Sequence, residues 1–77
     1  MEVIYTIHAE EKLLEREFEK SAIEETLEKP DRIFTSRLGR MIAQKAMEDR
    51  SLRVVYEVEG SVYIVITAYY TKRGRYE

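Results

Sequence analysis

The chain has 77 residues, 44% hydrophobic and 36% charged, with a net charge of −2 and no cysteine. That length allows one domain, which buries only about 60% of its unfolded surface and needs a dense core. A disulfide framework, a thiolate metal site, a zinc site built on the single histidine and a transmembrane span are all excluded as expectations.

Taken in order, Glu2–Ile7 (E-V-I-Y-T-I) is a short β-prone run that suits an edge strand. His8 opens a helical segment, H-A-E-E-K-L-L-E-R, with Glu10 and Glu11 in the first turn, where the helix dipole favours negative charge. Leu13, Leu14 and Phe18 supply its apolar side. The periodicity blurs around Glu17–Lys20, which places a break before a second helix, S-A-I-E-E-T-L-E-K. Pro30 ends that helix, because the residue before a proline avoids the helical region.

Arg32–Arg37 reads as a strand and Leu38-Gly39 as a turn. Arg40–Met47 favours helix on propensity, yet its place between two turn signals and among strands makes it a strand of a meander. Glu48-Asp49-Arg50-Ser51 turns into a hairpin of Leu52–Val58 and Ser61–Thr71, folded back at Glu59-Gly60. Strict alternation puts Leu52, Val54, Tyr56 and Val58 on one side of the first strand. On the second it sets Val62, Ile64, Ile66 and Ala68 against Tyr63, Val65, Thr67 and Tyr69. The expected core joins Leu13, Leu14, Phe18, Ile23 and Leu27 to Val54, Tyr56, Ile64 and Ile66. The order describes an α+β domain, residues 1–77. Two N-terminal helices pack on one face of a four- to five-stranded antiparallel sheet, and Tyr, Thr and Arg lie on the other.

Charge is unevenly spread. Residues 10–29 hold eight Glu against four Lys/Arg, whereas residues 32–53 hold six Lys/Arg against Glu48 and Asp49. Arg37, Arg40, Lys45, Arg50 and Arg53 suggest a basic stripe, although alternation turns Lys45 away from Arg40. Tyrosines such as Tyr69 offer stacking platforms for bases, and Lys72, Arg73, Arg75 and Tyr76 suit a phosphate backbone. Each of these residues also has a plainer reading, as a half-wet sheet tyrosine or a solubilising charge.

No P-loop, dinucleotide fingerprint, nucleophile elbow or metal-ligand cluster is present, so no cofactor is expected. The N-terminus lacks a secretory layout, and a cytoplasmic location without membrane association is expected. Any chemistry must run on His, Arg, Lys, Tyr and carboxylates. Metal-independent RNA cleavage needs no more, since the 2′-hydroxyl of the substrate is the nucleophile. His8, at a helix start that disfavours the imidazolium, suits a general base, and Arg16 suits a phosphate clamp. The plainer readings are a helix-end histidine and a surface ion-pair arginine.

The pattern H-A at 8–9, Arg16, I-E-E-T-L-E-K-P-D at 23–31, G-R-M-I-A-Q-K at 39–45, L-R-V-V-Y-E-V at 52–58 and V-I-T-A-Y-Y-T-K-R-G-R-Y at 65–76 resembles a known family. It is the small prokaryotic domain-of-unknown-function family numbered four-two-five-eight, similar in layout to RelE/ParE/BrnT-like toxins. The resemblance carries over as His8, Ala9, Arg16 and Thr67. It implies a metal-independent ribonuclease with His8, Arg16 and Thr67 in the catalytic site, or a relative that has kept the fold and lost the reaction. The second form would bind RNA or a protein, such as a cognate antitoxin-like partner, through the sheet face and basic tail. A Gly commonly follows the family's arginine. Here Glu17 stands in its place, which makes a left-handed turn harder and the helix break softer or absent.

Overall fold

The computed structural model describes residues 1–36 and 38–72. In chain order they form β1 (Glu2–Tyr5), α1 (Ile7–Arg16), α2 (Lys20–Glu28), β2 (Arg32–Thr35), β3 (Met41–Met47), β4 (Arg50–Glu59) and β5 (Val62–Lys72). The expected β-α-α-β-β-β-β order holds, and so does the strand at β3. The sheet has five strands in the order β1-β5-β4-β3-β2.

It is mixed, not all antiparallel. β2 to β5 form an antiparallel meander, but β1 runs parallel to β5. Parallel neighbours need a long connection, and here the chain leaves β1, crosses the sheet through both helices and returns by the meander to lie beside it.

Thr6, not His8, caps α1: its hydroxyl accepts from the Ala9 amide at 3.1 Å. The break after α1 is sharp. Glu17 adopts the left-handed conformation at φ 55° and ψ 40°, and its amide donates to the Leu13 carbonyl. The glutamate therefore accepts a backbone position that glycine fills more cheaply, because the αL capping bonds and the burial of Phe18 just beyond hold it there. Two-residue loops close the long hairpins. Gly60-Ser61 joins β4 to β5 with Gly60 at φ 62°, and Glu48-Asp49 joins β3 to β4 with Glu48 at φ 57°.

The core lies between the helices and one sheet face. Ala9, Leu13, Phe18, Ile23 and Leu27 meet Ala43, Leu52, Val54, Tyr56, Val65 and Ala68. Three expected members are elsewhere. Leu14 is 84% exposed, because the α1 face that meets the sheet is the one carrying Ala9 and Leu13. Ile64 and Ile66 are displaced by a β-bulge. Val55 pairs with Thr67 and Tyr56 with Val65, leaving Ile66 as the extra residue. The bulge resets the alternation, so Tyr63, Val65, Ala68 and Tyr70 share the helix side, and Ile64, paired with Glu57, belongs to the uncovered face. Tyr63 and Tyr69 consequently lie on opposite faces, and Tyr63 stacks on Tyr56 at 5.5 Å.

Candidate nucleic-acid interface

Ala43, Val54 and Ala68 form a row buried under the helices, so their strand neighbours Gln44, Arg53 and Tyr69 point to the face without helices. The register aligns these into a transverse row, Arg32–Gln44–Arg53–Tyr69. The next row on that face is Phe34–Ile42–Val55–Thr67. Arg40 stands just before β3, its Nε 3.1 Å from a Glu57 carboxylate oxygen.

These rows hold one another. Gln44 is only 2% exposed although no helix covers it, and its Oε1 accepts from Arg53 Nε at 2.6 Å. A charge-assisted bond that short fixes the guanidinium plane. The guanidinium carbons of Arg53 and Arg32 lie 4.9 Å and 5.0 Å from the Phe34 ring centre. Cations at that range are attracted by the ring quadrupole, so Phe34 is presented between two arginines on a half-exposed surface. The result is a row of cations and an aromatic ring on a rigid sheet, chemistry suited to phosphates and stacked bases.

Of the residues expected in a basic stripe, Arg40 and Arg53 lie on this face and Arg50 lies on the helix side; Tyr69, expected as a stacking platform, and Thr67, expected in a catalytic site, are also on this face. Lys45 is not: it faces the helices, and its Nζ donates to the Lys29 carbonyl at 3.1 Å, at the C-terminal end of α2. Lys72 pairs with Arg50 at the far end of the sheet, on the helix side. Arg37, Arg73 and Arg75 lie outside the described residues. Arg32, Phe34 and Gln44 were not singled out from sequence, although the R-I-F alternation of β2 carries the signal for the first two.

The residues proposed for catalysis occupy three settings. His8 is the second residue of α1 and is exposed. Arg16 ends the same helix about 12 Å further along its axis, and its Nη1 donates to the Ala68 carbonyl at 3.4 Å. Thr67 precedes Ala68 on β5 and faces the other way. Two hollows lie apart from all three: one lined by Met47, Glu48, Asp49, Arg50 and Tyr70, the other by residues around Gly39 and Glu57–Glu59.

The perturbed titrating groups sit on the helix side. Burial, a hydrogen bond from its hydroxyl to Glu24 at 2.9 Å, and the charges of Glu24 and Glu10 push the Tyr5 phenol well above its ordinary range. Burial beside Tyr63 pushes Tyr56 the same way. Among the described residues no group of His, Cys, Asp and Glu is placed to hold a metal ion, and no helix is long and apolar enough to cross a membrane.

In comparisons with known proteins, a family model described as "Domain of unknown function (DUF4258)" matches residues 5–70. No curated protein and no solved structure matches the chain.

Proposed function

This chain belongs to the DUF4258 family, and we propose that it is an RNA-interacting protein that takes single strands across the helix-free face of its sheet. The carrying observation is the Arg32–Gln44–Arg53–Tyr69 row beside Phe34. Arginines attract the backbone without regard to sequence, and the half-exposed Phe34 ring offers a base an aromatic surface. The β-α-α-β-β-β-β layout and the small size also agree with a RelE-like toxin relative, whose protein partner would be antitoxin-like and whose location would be cytoplasmic.

Binding is favoured over cleavage as the principal activity. A metal-independent ribonuclease needs its acid/base and its phosphate clamp at one scissile group. His8 is two helical turns from Arg16, and Thr67 faces away from the helices.

The test is fluorescence anisotropy with a labelled oligouridylate at low ionic strength. Saturable binding weakened about tenfold or more by Phe34→Ala and by Arg53→Met supports the reading, since stacking alone is worth about 1–3 kcal/mol per base. Wild-type protein that does not bind, or variants that bind equally well, would refute it. Following RNA length in the same samples, with His8→Ala alongside, reads any cleavage directly.

A further inference from the structure

On the helix side of the sheet, at the β3–β4 turn, a hollow of about 450 Å³ is lined by Met47, Glu48, Asp49, Arg50 and Tyr70. Its floor is ordered from behind. The Arg50 guanidinium lies over the Tyr70 ring at 3.7 Å, and Tyr70 packs on buried Phe18 at 4.9 Å. Lys72 pairs with Arg50 and so stands beside it on the same side. The two-residue turn between β3 and β4, with Glu48 at φ 57°, adds Glu48 and Asp49 to the lining.

The charges at the hollow balance, Glu48 and Asp49 against Arg50 and Lys72. A phosphate group or a simple cation placed in the hollow itself meets repulsion as well as attraction there. A flat, neutral group with hydrogen-bond donors meets none. Its face can lie on the Arg50–Tyr70 stack while its donors go to a carboxylate. Among the ordinary nucleobases only guanine carries two adjacent donors, N1–H and N2–H, on its pairing edge, which a carboxylate accepts as a fork.

We propose that this hollow binds a guanine base, from a free nucleotide or from RNA. The base stacks on the outer face of the Arg50 guanidinium, which Tyr70 backs from beneath, its N1–H and N2–H donate to Asp49, and its phosphate side turns toward Lys72. The site is on the opposite side of the sheet from the Arg32–Tyr69 row and does not depend on it.

The test uses the whole chain with four probes: GMP, AMP, oligouridylate and the same oligomer carrying one guanosine. Preference for GMP over AMP, or for the guanosine oligomer over oligouridylate, by about tenfold supports the proposal. The preference must disappear in Asp49→Asn and Arg50→Gln proteins that melt as wild type does. A response to GMP identifies the free nucleotide as a sufficient ligand; a response only to the oligomer identifies RNA as the source. Equal binding of guanine and guanine-free probes overturns the proposal, as does a preference that survives both substitutions. Oligouridylate binding without guanine preference overturns this site alone. GMP preference without oligouridylate binding overturns the sheet-face reading alone.

Discussion

Arg16 Nη1 donates to the carbonyl oxygen of Ala68 at 3.4 Å, at the point where β5 has outrun its neighbour. β1 stops at Tyr5, opposite Val65, and Thr6 satisfies the next two carbonyls, accepting positions on Val65 and Ile66, through its amide and hydroxyl. Beyond that the edge of β5 is uncovered by a strand, and the helix end supplies the cover instead. An edge guarded by a charged side chain resists pairing with another chain. Arg16→Met should therefore lower stability by about 0.5–1.5 kcal/mol, the net value of one hydrogen bond. Urea melts check this, and light scattering should show earlier aggregation on heating. Oligouridylate binding should stay unchanged, whereas a phosphate clamp would lose affinity on the same substitution.

Glu17 stands where the chain turns left-handed between α1 and α2. A residue with a Cβ pays about 1 kcal/mol or more for that conformation, and glycine does not. Glu17→Gly should raise stability by about 1 kcal/mol, measured as a shift in the urea midpoint at constant slope. A loss of stability would mean that the glutamate side chain contributes more than the backbone strain takes away.

The β4–β5 hairpin and the order of elements were legible because Val, Ile, Tyr and Thr cluster between turn residues. The facing of β5 was not. V-Y-I-V-I-T-A-Y-Y is apolar at odd and even positions alike, so alternation carries no phase, and no glycine marks the bulge at Ile66. The pair Leu13-Leu14 poses the same problem on α1: both are apolar, and only packing decides which meets the sheet. The parallel sense of β1 depends on how the two helices cross the sheet, which no local pattern records. Of the residues on the candidate interface, Arg40, Arg53 and Tyr69 are expected from sequence as RNA contacts and Thr67 only as a catalytic residue, while Lys45, expected in the same stripe, faces the helices. Phe34 and Arg32 became visible only when the register set them beside Ile42 and Gln44.

The facing of the core gives a direct contrast. Ile23 has no exposed surface, while Leu14 is 84% exposed. Ile23→Ala should cost about 2–5 kcal/mol, enough to unfold much of so small a domain. Leu14→Ala should stay within about 0.5 kcal/mol. Thermal melts of the two proteins read the difference.

Alkaline pH should find the Tyr5–Glu24 bond. The Tyr5 phenol is raised above its ordinary value of 10.0, chiefly by burial and then by Glu24. A group whose folded pKa lies above its unfolded one contributes stability that is complete below the unfolded value. That contribution is lost as pH rises from about 10 through the folded pKa. The melting temperature of wild-type protein should therefore fall more steeply above pH 10 than that of Tyr5→Phe, which has no phenol to ionise. Below pH 9 Tyr5→Phe should be the less stable of the two, because Glu24 loses its donor. Parallel curves for the two proteins across this range would remove Tyr5 as the cause.

Phe34 and Arg32 should separate by their dependence on salt. Each phosphate contact released by salt contributes about −0.7 to the slope of log affinity against log salt for a single strand. Arg32 carries its charge on the helix-free face proposed to bind RNA, so Arg32→Gln should flatten the slope by roughly that amount and weaken binding most at low salt. Phe34 offers a ring and no charge. Phe34→Leu keeps an apolar residue on the sheet while removing the π-face, and it should weaken binding by a similar factor at every salt concentration, with the slope unchanged. The measurement is anisotropy titration at several potassium chloride concentrations, with both variants first shown by melting to be folded. Identical slopes for all three proteins would mean that Arg32 makes no phosphate contact, and a slope that changes in Phe34→Leu would mean that the ring's role is to hold the two arginines in place.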